Sequence, residues 1–298
     1  MNAGLPLVSV IIPSYNSRPW INQTVESVLT QTYPRLETIV VDDASTDDTA
    51  GALKHYGSRV KLLRNECNRG VSFTRNRAIA VAQGDYIALL DHDDLWFPEK
   101  TTKQMSLFER NPELGLVFSD AVYRRAEGSS HCSFELMAPA RGHVFSRLLQ
   151  TDFIPCASAV IPRKVIDSVG PFREDLSFVE DHELFLRISR SFAIDYAEEP
   201  LVVYNVHETN LTRRRDLCQR ERITLETLYM KEGGFEGAIA LDYLRLGAAL
   251  FEKRQPGHAA ASFTLGALRG LRFPVKTCKA LFETLQKRKR ANPWKNER

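Results

Sequence analysis

Three carboxylates close the stretch YIALLDHDDLW at residues 86–96: Asp91, Asp93 and Asp94, with His92 between the first two. Carboxylates two apart at the end of a strand can face the same small volume, and hard divalent cations such as Mg²⁺ or Mn²⁺ take oxygen ligands. Mg²⁺ in particular uses one or two protein carboxylates and fills its shell with phosphate oxygens and water. The chemistry this suggests is the handling of a phosphorylated ligand through a cation. A DxD pair alone is weak evidence, since exposed turns often carry such runs. Two other polar clusters also end apolar runs, Pro13-Ser14-Tyr15-Asn16 after LVSVII and Asp42-Asp43 after ETIVV. A further acidic group, Glu180, Asp181 and Glu183, opens the segment EDHELFLRISRS, where negative charge suits a helix N-terminus.

The elements that must position these groups follow from periodicity. LVSVII (7–12) and ETIVVDD (37–43) read as strands, with WINQTVESVLTQ as a helix between them. VKLLRN reads as a third strand, followed by a helix around FTRNRAIAVAQ that stops at Gly84, and then by the strand YIALLD. Strands alternating with helices imply a mostly parallel α/β sheet with helices on both faces. In such sheets ligands gather beyond the carboxyl ends of the strands, so Pro13 to Asn16, Asp42 and Asp43, and Asp91 to Asp94 are expected along one rim. Further on, LGLVFSDAVYRR reads as a strand, HVFSRLLQ as a short helix, and SAVIPRKVIDSVG as a strand and a helix ending at Gly170. LVVYNVH (201–207) is the last strand. From residue 216 onward the pattern is helical only, with a break at QPG. The expected organisation is an α/β domain over 1–215 and a helical extension with a basic tail over 216–298.

Composition limits the partners. Of 298 residues, 43% are hydrophobic and 26% charged, as in ordinary globular proteins. Five cysteines, odd in number and without CxxC spacing, suggest neither a disulfide framework nor a zinc site, and point to a reducing cytoplasm. No leader and no long apolar run is seen, so a soluble or at most peripheral chain is expected. The net charge of +3 is unevenly spread: residues 269–298 hold ten Lys or Arg against Glu283 and Glu297. Apolar residues interleave with those cations, so the tail is expected either to lie on an anionic membrane surface or to pack on the α/β domain with its cations solvated. No nucleic-acid partner is expected.

The ordered motifs PSYN (13–16), VDDAST (41–46), TRNRAI (74–79), LLDHDD (89–94) and VEDHELFLR (179–187) resemble those of the family 2 glycosyltransferases, with their GT-A fold. The likeness covers about residues 6–212. It implies an inverting transferase that moves a sugar from a nucleotide-diphosphate sugar to a hydroxyl of a saccharide or lipid-linked saccharide. By the same resemblance, Pro13, Tyr15 and Asn16 would lie beside the base and ribose, and Asp43 would accept from a uracil-like N–H. Arg75 and Asn76 would face the nucleotide or its phosphates, with a solvated helix face as the competing reading for Arg75. Asp93 would be the main ligand of Mg²⁺ or Mn²⁺, Asp91 a contact to ribose or metal-bound water, and His207 a further ligand. Asp181 would be the base, Glu180 a neighbour behind it, Glu183 a helix-end charge, Asp42 the cap of a turn, and His92 a bystander. The processive members' QxxRW element and membrane helices are absent from the sequence, which implies addition of single sugars.

Competing readings meet specific obstacles. A nucleotidyltransferase on a similar sheet would show a Gly-rich phosphate loop after the first strand, yet PSYNSRPW has no glycine; no GxGxxG follows a strand either. A noncatalytic nucleotide-sugar-binding scaffold would show a decayed site, whereas Asp43, Asp93 and Asp181 are all present. Residues 124–156 carry no recognisable motif, and they are where acceptor recognition would have to be sought.

Overall fold

The β-branched runs form the strands that the periodicity predicts. The computed structural model describes residues 4–208, 210 and 214–229, together with Leu246, His258, Ala259, Ser262, Leu265 and Gly266. The chain divides into two compact units, Met1–Asn210 and Leu211–Arg298. In the first unit, β1 (Val8–Ser14), β2 (Leu36–Asp42), β3 (Val60–Arg64) and β4 (Tyr86–Leu89) pair in parallel in the order β3-β2-β1-β4. Helix α1 (Ile21–Leu29) connects β1 to β2 and buries Ile21, Thr24, Val25 and Val28, the spacing of one helical face. Helix α2 (Thr49–Leu53) and a short 3-10 turn lead to β3, and α3 (Val71–Val81) leads to β4. Because β2 and β4 lie on opposite sides of β1, the connections diverge there. Beyond the carboxyl ends this leaves a crevice, the usual ligand position in open α/β sheets.

The other half of the sheet is mixed rather than parallel. β8 (Val160–Pro162) runs antiparallel to both β4 and β6 (Leu116–Arg125), so β6 points the same way as β4. β9 (Ile194–Val206) is parallel to β6, while β5 (Leu95–Trp96) and β7 (Ser130–Cys132) pair antiparallel to β9 and β6. An apolar run shows that a strand is buried without showing its direction, and the long connection from β4 to β8 lets the chain enter from either end. β9 is also longer than the expected LVVYNVH. Its first half, IDYAEEP, lacks alternation because the register with β6 shifts at Ser119, Asp120 and Ala121, which leaves Glu198 and Glu199 exposed.

Helices α4 (Lys100–Arg110), α5 (Ser133–Leu136), α6 (Phe145–Gln150), α7 (Arg163–Val169) and α8 (Glu180–Ser191) complete this unit. Val10, Ile12, Val40, Ala88, Leu90, Phe108, Val117, Val160 and Val202 share one core cluster. In the second unit, α9 (Arg215–Tyr229) is described, and Ile223, Leu246 and Ala259 are buried together. The helix break at QPG and the tail 269–298 lie outside the described residues.

Two glycines show why sequence signals need geometry. Gly170, at φ +89, ends α7 as expected of a C-cap glycine. Gly84 plays a different part: α3 has already ended at Val81, and a Cβ at Gly84 would sit 2.6 Å from Ser9 N and 2.8 Å from Leu7 O. Its backbone N–H donates to Ser9 Oγ at 2.8 Å, so the chain crosses β1 in close contact. Gly84→Ala is expected to destabilise the fold by about 1–3 kcal/mol, read as a lower urea midpoint with unchanged slope; an unchanged midpoint would refute the close-approach role.

Candidate active site

The ends of β1 and β2 are locked to each other. Asn16 adopts φ +49, a left-handed conformation that Asn tolerates better than most residues, and its N–H donates to Ser45 Oγ at 2.9 Å. Its side-chain Oδ1 accepts from Thr46 N at 2.8 Å. Ser17 N donates to Thr49 Oγ1 at 2.9 Å, which adds a second tie between the two loops. Pro13 is buried at the strand end, and Tyr15 beside it leaves 41% of its surface exposed on the rim. Asp42 Oδ1 accepts from Ser45 N at 3.1 Å, the turn cap expected of it. Asp43 is buried and accepts from Asn65 Nδ2 (2.6 Å), Arg69 N (2.9 Å) and Gly70 N (2.8 Å). A carboxylate offers about four acceptor sites, so the loop entering α3 takes three and leaves one.

The DHDD turn separates its four side chains. Asp91 is half-exposed, and its Oδ1 accepts from Arg75 Nη2 at 2.6 Å. His92 turns back towards β1, with Nδ1 3.2 Å from Pro13 O, so it stands aside as expected. Asp93 Oδ2 accepts from His207 Nε2 at 2.8 Å and from Asn210 Nδ2 at 3.3 Å. Burial works against the Asp93 charge, but the His207 hydrogen bond and the charges of His92 and His207 outweigh it and hold its pKa low. Asp94 is fully buried, and Asn205 N donates to its Oδ1 at 3.1 Å. Burial and the charges of Asp93 and Asp91 push Asp94 well up, opposite to its neighbour Asp93.

Arg75 joins two motifs that lie far apart in sequence. It is only 3% exposed, which rules out the solvated-face reading. Nη1 donates to Glu180 Oε1 and Nη2 to Asp91 Oδ1, both at 2.6 Å, while Cys156 Sγ lies 3.4 Å from Nη2. The guanidinium therefore ties the end of β4 to the first turn of α8. Asn76 does not share this site: its Nδ2 donates to Phe172 O and its Oδ1 accepts from Phe172 N, both at 2.9 Å. Glu180 is held behind Asp181 by Arg75. Glu183 pairs with Arg187 at 2.8 Å, and Arg187 also donates to the carbonyls of Val169, Gly170 and Pro171, so its role is structural.

Asp181 is half-buried at the start of α8, and its Oδ1 accepts from His182 N at 2.7 Å. Burial and the Asp152 charge raise its pKa to about 6, against the pull of Arg75. Burial and the Asp181 charge push Glu180 upward as well. A carboxylate with a raised pKa that is still ionised at neutral pH is suited to take a proton.

Sequence reasoning missed several residues. Asn210 accepts from His207 N at 2.6 Å and also reaches Asp93. Asn205 donates its side-chain N–H to Asp93 O. Trp20 stacks on the His207 ring with centroids 4.4 Å apart and planes 13° from parallel. The only signal for Asn210 was a polar residue three positions after His207, and for Trp20 there was none.

The donor set suits a divalent cation. Asp93 Oδ2 and His207 Nε2 are a hard oxygen and an imidazole nitrogen 2.8 Å apart. Adjacent ligands on an octahedral ion with bonds of about 2.1 Å would be separated by about 3 Å. Among the described residues no group of three or more His, Cys, Asp or Glu is arranged to hold a metal, so a bound ligand would have to supply the remaining positions.

Comparison with known proteins gives a consistent picture. The profile of Glycosyl transferase family 2 matches residues 9–170, which ends before α8 and so leaves Asp181 and His207 beyond it. The UDP-Glc:alpha-D-GlcNAc-diphosphoundecaprenol beta-1,3-glucosyltransferase WfgD of Escherichia coli is 36% identical over 183 residues, 61% of this chain and 69% of that protein. The mannosyltransferase PcManGT from Pyrobaculum calidifontis, solved with GDP-Man and Mn²⁺, has a TM-score of 0.65 at 23% identity, covering 98% of this chain and 88% of that one. S. aureus TarS 1-349 with UDP-GlcNAc has a TM-score of 0.65 at 18% identity, covering 97% and 93%. At these identities the structures speak for the fold, which is GT-A.

Removing the guanidinium would strand two carboxylates. Arg75→Met is expected to destabilise the fold by about 3–5 kcal/mol, the usual cost of breaking a buried ion pair from one side. Without Arg75, Glu180 and Asp181 would shift further upward. Carboxyls raised above their unfolded values lose stability as pH rises, so the deficit in melting temperature should be larger at pH 8 than at pH 5. A deficit independent of pH would reject the charge-balancing role.

Proposed function

The chain belongs to glycosyl transferase family 2, and on that premise we propose an inverting, non-processive, metal-dependent transferase. It moves one sugar from a UDP-sugar to a hydroxyl of a lipid-linked saccharide in cell-surface polysaccharide synthesis. The observation that supports this reading is the Arg75 bridge between Asp91 and Glu180, which ties the DHDD turn to the first turn of α8 next to Asp181. UDP as the donor nucleotide is supported by the names of WfgD and of the TarS complex. The lipid-linked acceptor is supported by the name of WfgD. A lipid-linked acceptor would be presented at a bilayer surface, where the reading places the chain; among the described residues no helix is long and apolar enough to cross a membrane.

On this reading the nucleotide lies over Pro13, Tyr15 and Asn16, with the free acceptor site of Asp43 taking the base N–H. Asp93 and His207 would hold Mg²⁺ or Mn²⁺, which when bound would neutralise charge on the diphosphate. Asp181 takes the proton of the acceptor hydroxyl as that oxygen bonds to the anomeric carbon. The bond from that carbon to the diphosphate oxygen breaks, and the nucleoside diphosphate leaves with the electron pair. Attack opposite the leaving group inverts the anomeric configuration.

Two measurements test the parts separately. With the base at about pKa 6, kcat/KM should rise about tenfold per pH unit below pH 6 and level off above it, because only the ionised carboxylate accepts a proton. Asp181→Asn should lose turnover by about 10²-fold or more while donor affinity stays within a few fold; lost donor binding would move Asp181 into the nucleotide pocket. For the cation, Asp93→Ala should abolish the Mn²⁺-dependent part of UDP binding in calorimetry and leave the melting curve cooperative. Full turnover in EDTA would remove the metal from the mechanism.

A further inference from the structure

The donor motifs occupy the ends of β2, β1 and β4, and His207 follows the end of β9, which leaves the end of β6 and the face it shares with β7 and β9 unassigned. These strands point the same way as β4, since β8 is antiparallel to both β4 and β6 and β9 is parallel to β6. Their carboxyl ends therefore reach the same rim as Asp91 to Asp94. Three rings lie there in register, one on each of three adjacent strands: Tyr123 of β6 is the cross-strand partner of His131 on β7 and of Tyr204 on β9. Tyr123 and His131 stack with centroids 5.3 Å apart and planes within 1°, and Tyr204 lies 4.9 Å from Tyr123 at 40°. All three are half-buried rather than sealed in the core, and among the described residues β7 pairs with β6 alone.

This row adjoins the chemistry already described. Arg124, next to Tyr123, donates twice to Asn205 Oδ1 (3.0 and 2.8 Å), and Asn205 in turn bonds Asp94 and Asp93. Burial and then the charges of Asp152, Asp94, Asp120 and Asp181 push the Tyr123 hydroxyl up, so it stays protonated and lies within electrostatic reach of the base. Burial and the Arg125 charge lower His131, which makes it a neutral ring at physiological pH.

We propose that the His131–Tyr123–Tyr204 row holds a sugar ring of the acceptor beside Asp181. Aromatic surface with polar tips suits a saccharide: the rings pack against its C–H face, and the hydroxyls and imidazole meet its hydroxyl groups. Along the sheet the row lies on the far side of β8 from β4, β1 and β2. It also gives a role to part of the segment 124–156, whose sequence carries no motif. The inference rests on the transferase reading and names a subsite within it.

Saturation-transfer NMR tests it on the full chain with UDP and Mn²⁺, using N-acetylglucosaminyl-α-diphosphoryl octanol as probe and octyl diphosphate as the sugar-free control. The wild type should transfer saturation to the sugar-ring protons. Tyr123→Ala and His131→Ala should weaken probe binding at least tenfold and leave UDP binding within twofold, while Tyr123→Phe, which keeps the ring, should retain most of it. His131→Ala, on the edge strand, keeps the test open if Tyr123→Ala fails to fold. Sugar-ring saturation that is absent in the wild type, unchanged in His131→Ala, or matched by an equal response to octyl diphosphate overturns the proposal. Slow hydrolysis of UDP-sugar without acceptor reports on the transferase reading independently: its presence with an indifferent row would sink only the subsite.

Discussion

Arg75 carries a positive charge in a place that is nearly closed to water, and the site is organised around that fact. Glu180 and Asp91 supply its counter-charges at 2.6 Å each, and they come from a helix start and a strand end separated by 89 positions in the chain. A buried ion pair of this kind adds little net stability over an apolar replacement, but it tolerates few other arrangements of its partners. Its consequence is geometric: α8 cannot slide relative to β4 without leaving a charge uncompensated. The distance between Asp181 and the DHDD turn is thereby fixed by electrostatics rather than by loop packing.

Around this ion the surroundings push the acids in different directions. Asp93 keeps its charge because His207 and His92 favour it, whereas burial and the charges of Asp93 and Asp91 push Asp94, one residue on, well up. Burial raises both Asp181 and Glu180, with the Asp152 charge adding to it at Asp181 and the Asp181 charge adding to it at Glu180. Within one acidic cluster Asp93 is thus held low, Asp94 is pushed well up, and Asp181 is raised to about 6.

The backbone contributes strain and close approach at the same rim. Asn16 and Ala44 both adopt positive φ beside the donor motifs, at φ +49 and +59. For Ala44 the left-handed conformation costs roughly 1–2 kcal/mol. The adjacent hydrogen bonds of Asp43 to Asn65, Arg69 and Gly70 hold the loop in that shape. A loop preformed in this way presents its remaining acceptor atom without an ordering cost on binding.

Much of this was legible in the sequence because it depends on local pattern. Period-2 and period-3.6 spacing located β1, α1, β2, β3, α3, β4 and α8, and apolar runs ending in Asp42-Asp43 and Asp91-Asp94 placed their carboxylates on one rim. The turn cap by Asp42 and the aside position of His92 also follow from short-range stereochemistry. Partner choice across the chain was not legible. Nothing near Arg75 reveals that it is buried against Glu180 and Asp91, nothing near Asn76 that both ends of its amide are taken by Phe172, and nothing in IDYAEEP that a register shift keeps it in β9. The same holds for strand direction in the mixed half, for Gly84 as a close-approach glycine, and for three rings meeting across β7, β6 and β9. Local spacing encodes which face of an element is apolar. Only the packed sheet decides which distant charge, ring or backbone comes to lie against it.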